Sequence, residues 1–318
     1  MKLQAQYQLT SEMTVAEGAR IIFGHLMAVM RHNEAGIQED QDIECLHDFR
    51  VAVRRSRSLL TMLKRDLDPA FLPDLRKGLQ VLGQATNALR DLDVYMAQRP
   101  HYEKMLPAVL RPAIAPWFEA LGRRREREAI SVKRFLTSRT YGRIMDDLAR
   151  FAAGEVGTGS TPNAYTRPLI EVARKAIDRS FARSLRIGRR ISAASPDDLL
   201  HRLRIQSKQL RYALEFFRDL FPPGPAGVAI RQVKALQECL GIYNDRSVQQ
   251  QFLFDYLKGI PAPYGPRRIA LAAAIGALIG LLFLEKVRQR KGFEEVFARF
   301  SDPVQVRRFR KLFAQDGS

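Results

Sequence analysis

Two segments carry the residues best suited to chemistry: "LHDFRVAVRRSRSLL" at 46–60 and "LHRLRIQSKQLRYAL" at 200–214. In each, a His is followed three positions on by an Arg, and then by basic residues four and three positions further. Read as helices, they set His47, Arg50, Arg54, Arg57 and Lys64 along one strip of surface, and His201, Arg204, Lys208, Arg211 and Arg218 along another. The apolar strip of the first segment (Leu46, Phe49, Val53, Leu60, Leu63, Leu67) is centred about 90° away, so the basic row borders the core. Stems then pack while charged heads gather, which makes the wall of an anion-binding groove.

A solvated helix face is the plain alternative, but such faces mix signs. Between Leu46 and Arg65 the only acid is Asp48. Arg50/Arg54 and Arg54/Arg57 are like-charge neighbours that each cost about 0.2–0.5 kcal/mol. An anion spanning the row exchanges that repulsion for charge-assisted hydrogen bonds of roughly 1.5–3 kcal/mol apiece. The anion-binding reading is the stronger. The neighbouring arginines are expected to hold His47 and His201 neutral until a polyanion arrives and charges them.

Other residues can be graded against these rows. Arg76, Lys77, Arg231 and Lys234 could face them across a bundle. Asp91 and Asp245, in "LRDLDV" and "YNDRSV", suit the bracing of a guanidinium better than catalysis. The runs "GRRRER" (122–127) and "KVRQRK" (286–291) are ordinary exposed charge, or at most an outer rim. The five histidines form no HxxxH or HExxH, and no P-loop, GxSxG or repeated acidic cluster is present, so neither a metal, a cofactor nor a catalytic centre is expected.

Lys and Arg number 52 against 34 Asp and Glu, a formal net charge of +18, so the expected partner is a polyanion. With 318 residues and 46% hydrophobic content the chain has enough apolar material for one large core or two domains. Cys45 and Cys239 form no CxxC pair, which points to a reducing compartment. The first residues lack an export signal, so a cytoplasmic protein is expected. Ile269–Leu284 is uncharged, yet it falls short of the roughly 20 residues a membrane span needs, so a buried bundle helix is expected instead of membrane insertion. No obligate protein partner is evident.

Amphipathic stretches separated by Pro and Gly clusters recur throughout, without period-two alternation, so the fold is expected to be all-α with roughly ten helices. "SPDD" offers Ser195 as an N-cap and Pro196 as the first helical residue. The interval of 154 from His47 to His201 also relates Arg50 to Arg204, Arg54 to Lys208, Arg57 to Arg211, Asp91 to Asp245 and Val94 to Val248. Two like bundles of four to five helices follow, each with the same helix pair joined by a loop of the same length: residues 1–155 and 165–318, with a Gly/Ser/Thr-rich linker at 156–164.

The paired phrases with "LRDLDV" and "LGIYNDRSV", together with "GALIGLLFLEKVRQRKGFEEVFARF" near the end, resemble the CHAD family, the conserved histidine α-helical domain, from about Ala16 to about Phe309. The resemblance implies two pseudo-twofold related helical bundles around a central basic channel that binds inorganic polyphosphate, in proteins often found at polyphosphate granules. Carried over by position, His47, Arg50, Arg54, Arg57, His201, Arg204, Lys208 and Arg211 would contact the ligand. Lys208 keeps the charge of its counterpart Arg54 but loses the bidentate fork. Many relatives carry a CYTH triphosphatase-type domain, and none is expected within these 318 residues. A nucleic-acid-binding protein is the leading alternative, and a polyphosphate-processing enzyme is the third. The basic rows hold no aromatic platform for bases, which favours polyphosphate.

Overall fold

The computed structural model describes residues 7–67, 70–156, 167–260 and 265–313. All of the linker expected at 156–164 except Val156 lies outside them. The described chain is all-α, and its only extended pairing is an isolated bridge between Thr14 and Pro168. The first stretch comprises α1 (Val15–Glu39), α2 (Ile43–Leu63), α3 (Leu72–Ala85), α4 (Asn87–Ala97) and α5 (Arg99–Met105). Two 3-10 turns then lead into α6 (Ala115–Leu136) and α7 (Arg139–Ala153). The second stretch comprises α8 (Leu169–Gly188), α9 (Asp197–Phe216), α10 (Pro223–Lys258), α11 (Pro266–Phe300) and α12 (Pro303–Phe313).

The two helices that carry the basic rows start under clear local signals. At α2, Asp42 caps the first turn by accepting from the Glu44 amide at 2.8 Å. At α9 the cap differs from expectation. Pro196 occupies the N-cap position, while the Ser195 hydroxyl accepts from the Ser192 amide at 2.9 Å and so closes the preceding turn. Asp197 and Asp198 still meet the positive end of the helix.

The 154-residue shift superposes α2 on α9 to within one residue at the far end. Their partner helices differ, which corrects the expectation of identical pairs. α10 runs unbroken from Pro223 to Lys258, whereas its counterpart in the first half is split at Thr86 into α3 and α4. At the break the Thr86 hydroxyl donates to the Leu82 carbonyl at 2.8 Å and accepts from Arg50 at 2.8 Å; α10 has Leu240 in that register.

The apolar core forms two clusters, and each draws on both halves of the chain. The larger joins α1, α2, α3 and α7 to α8, α9, the first half of α10 and the end of α11. The smaller packs Leu92, Tyr95, Tyr102 and Trp117 against Leu253, Leu271, Ile275, Leu278 and Leu282. α11 therefore buries one side only, and Ile269, Phe283 and Leu284 on its other side are exposed. It is long and apolar enough to cross a membrane by length and composition, with a third of its most apolar window buried, so it is less enclosed than the sequence suggested.

Three members of the two peripheral basic runs serve the fold, while Arg123, Arg124, Arg127, Arg288 and Lys291 are exposed charge as the sequence suggests. Arg125, in the first run, bonds Asp93 of α4 at 2.7 Å and Asp40 at the end of α1 at 2.5 Å. Lys286, in the second, pairs with Asp197, and Arg290 donates to the Tyr243 hydroxyl at 3.2 Å and to the Ser192 carbonyl at 3.0 Å. These ties hold α11 against the start of α9. Acids distant in sequence explain why the runs looked like free charge.

Candidate functional site

α2 lies between α3 and α9, and its basic row opens into a cleft shared with both. Arg50, Val53, Arg54 and Arg57 form one wall of a cavity of about 480 Å³, with Gln80, Gly83, Gln84 and Asn87 opposite. A second cavity of about 280 Å³ continues it, sharing Arg54, Arg57 and Gln80 and adding Ser58, Thr61, Arg76 and Gln209. Arg76 thus joins the row across the α2–α3 groove, while Gln209 brings in α9. Among the described residues, none of Arg54, Arg57 and Arg76 reaches a carboxylate.

Arg50 has a different job. One of its terminal nitrogens donates to the Gly83 carbonyl and the Thr86 hydroxyl, both at 2.8 Å, and the other donates to Asn87 Oδ1 at 2.8 Å. Asn87 in turn donates to Asp91 at 3.0 Å. The guanidinium therefore plugs the break between α3 and α4. Arg50→Gln is expected to destabilise the protein by about 1.5–3 kcal/mol, because acceptors at that break lose a charged donor. Urea denaturation measures it, with Arg54→Gln as the control that changes stability little.

Arg204, the counterpart of Arg50 in α9, is half-buried and bonds Asp245 directly at 3.3 Å. Burial and the nearby Arg54 both lower the pKa of Arg204, and Asp245 offsets them in part. Beside it, burial first and then the charges of Arg204 and Arg54 push the Lys208 ammonium down to about 8. Arg54 of α2 and Arg204 and Lys208 of α9 thus form one concentration of positive charge across the interface between the halves.

The remaining basic residues separate into distinct settings. Arg211 bonds Glu215 at 2.5 Å and Gln237 at 3.2 Å. Glu215 also binds Arg55 at 3.1 Å, and Arg55 lies over the Phe216 ring at 5.1 Å. The pairing of Arg211 was legible as an i,i+4 spacing; that of Arg55 was not. Lys234 pairs with Glu238 at 3.7 Å, and Lys64, Lys77, Arg218 and Arg231 are exposed outside the cleft.

The two histidines are not equivalent. His201 Nδ1 lies 2.6 Å from Asn244 Oδ1 and faces a separate cleft with Asp197, Asp198, Tyr243 and Ser247. In the first half the position of Asn244 is held by Arg90. Burial, reinforced by Arg90, lowers the pKa of His47 and keeps the ring neutral; burial ranks above the arginines named from sequence. Among the described residues no three of His, Cys, Asp and Glu come together to hold a metal ion.

The family model of the CHAD domain matches residues 21–253, a span that holds both basic rows and both of their partner segments. The chain belongs to the CHAD family. The matched span ends before α11, short of the stretch to Phe309 that the sequence suggested, but solved structures extend the likeness of fold. The CHAD domain from the plant Ricinus communis is 23% identical, with a TM-score of 0.75, covering 95% of this chain and 97% of that one. PptA from Streptomyces chartreusis is 18% identical, with a TM-score of 0.65, covering 89% and 97%. Among curated proteins nothing matches. At these identities the two structures share the fold with this chain, and the side chains of its cleft have to be argued from their own geometry.

Proposed function

We propose that this CHAD protein binds inorganic polyphosphate in the cleft between α2, α3 and α9, in the cytoplasm and at polyphosphate granules. The observation that carries the reading is the cluster of Arg54, Arg57 and Arg76 in one cavity without a carboxylate partner, next to Arg204 and Lys208. A chain of phosphates supplies the missing counter-charge at regular intervals, whatever the orientation of its ends. The lining of both cavities holds no Asp or Glu, which a divalent cation for phosphoryl transfer would need, so the role is binding rather than catalysis. It holds no aromatic side chain either, so bases have no stacking platform and nucleic acid is the weaker ligand.

A competition at one fixed salt concentration tests this, with long-chain polyphosphate, pyrophosphate, single-stranded DNA and duplex DNA as ligands. Long-chain polyphosphate is expected to bind tighter than pyrophosphate by orders of magnitude, because only a chain bridges the α2 and α9 rows at high effective concentration. Its affinity should fall as salt rises and counterion release is lost. Equal affinity for pyrophosphate and the long chain, or tighter binding of either DNA, overturns the reading.

A further inference from the structure

The cleft does not end at Arg57. Ser58, Thr61 and Gln209, which line the inner end of its second cavity, also line a third, where Arg65, Lys175, Arg179 and Arg183 stand. Lys175, Arg179 and Arg183 lie four residues apart on α8, so their side chains cover a strip about 80° wide and rise about 12 Å along the helix. All three are exposed, and among the described residues neither they nor Arg65 reach a carboxylate. The one acid in the cavity wall, Asp66, is buried and already bound to Arg167 at 2.7 Å. α8 therefore carries like charges at i,i+4 spacing twice over, a penalty left without a direct ion pair among the described residues, since Glu171, one turn before Lys175, pairs with Arg167 at 3.6 Å.

We infer that Arg65 with Lys175, Arg179 and Arg183 forms a second binding segment, which takes the part of a long polyphosphate chain that leaves the α2–α9 cleft past Ser58, Thr61 and Gln209. The inference rests on the proposed function, and it adds a selector for chain length. A short oligophosphate fills the first segment alone. A long chain engages both, and the second contact is made at the high local concentration fixed by the first. Affinity therefore grows with chain length beyond what the first segment can hold.

The test is calorimetric titration of the full chain with tripolyphosphate and with long-chain polyphosphate, comparing wild type with the Lys175→Gln, Arg179→Gln, Arg183→Gln variant. The expected result is a loss of about tenfold to a hundredfold in long-chain affinity, with tripolyphosphate unchanged. All three side chains are exposed, so the fold should persist, and a variant with Arg179→Lys and Arg183→Lys checks this by keeping the charge and most of the long-chain affinity. Wild-type affinity retained for the long chain, or equal losses for both ligands, overturns the second segment and leaves the first standing. If the wild type binds neither ligand, the proposed function fails and this inference falls with it.

Discussion

Replacing Arg54, Arg57 and Lys208 together with Gln is expected to cost a thousandfold or more in long-chain polyphosphate affinity while the empty protein stays folded. Three charge-assisted contacts at roughly 1.5–3 kcal/mol each sum to more than about 4 kcal/mol, and about 1.4 kcal/mol is a factor of ten. None of the three has a carboxylate partner among the described residues, so nothing in the fold is orphaned by their removal, and relief of repulsion raises the melting temperature slightly. Arg50, Arg204 and Arg211 are left in place because each bonds groups of the fold itself. Titration and thermal melts of the same preparations read both quantities. Loss of cooperative unfolding in the triple variant would show that the row is a structural brace.

Lys208 is expected to give binding and stability opposite dependences on pH. Its ammonium titrates at about 8 in the empty protein and near its ordinary value of about 10.4 in the unfolded chain. A bound polyanion favours the charged form and raises the pKa. The complex therefore tightens as pH falls through the raised bound-state value, and the gain is complete below about pH 8; roughly tenfold is expected over that window. Folding runs the other way. Between about pH 8 and about pH 10.4 the unfolded state holds more protons than the folded state, so the empty protein gains stability as pH rises across that window. Lys208→Gln should flatten both trends at once. Titrations and melts at paired pH values check it, and parallel slopes for wild type and variant would remove Lys208 from the account. Burial lowers the pKa of His47, so that ring takes up its proton at lower pH than Lys208 does, and the lysine governs the neutral to alkaline range.

Much of this was legible in the sequence because it depends on periodicity. Helical spacing and Pro/Gly punctuation predicted the all-α fold, and the repeat placed α2 and α9 in register. The break at Thr86 was not legible, because the residues around it keep an otherwise helical pattern with no Pro or Gly at the break itself. Nor was the division of labour within each row. Spacing says that Arg50 and Arg54 share a strip, but only packing shows that one fills the α3–α4 break and the other faces the cleft. The repeat groups His201 with the arginines, whereas Asn244 on α10 holds it in another cleft. The basic residues of α8 belong to no repeated phrase, so the sequence does not single them out. Their meaning comes from the cavity they line.

Both apolar clusters close across the line between the repeats, and the basic cleft lies on that same line. Its walls are therefore set when the chain folds, before any ligand arrives. The backbone of α2 and α9 has already lost its freedom, so association does not have to order it. What remains to be immobilised is the tips of a few long side chains and the ligand itself, a flexible chain with its own conformational entropy to lose. On this view the partner, more than the protein, limits the affinity, and a stiffer polyanion of matched charge spacing would bind more tightly to the same unaltered walls.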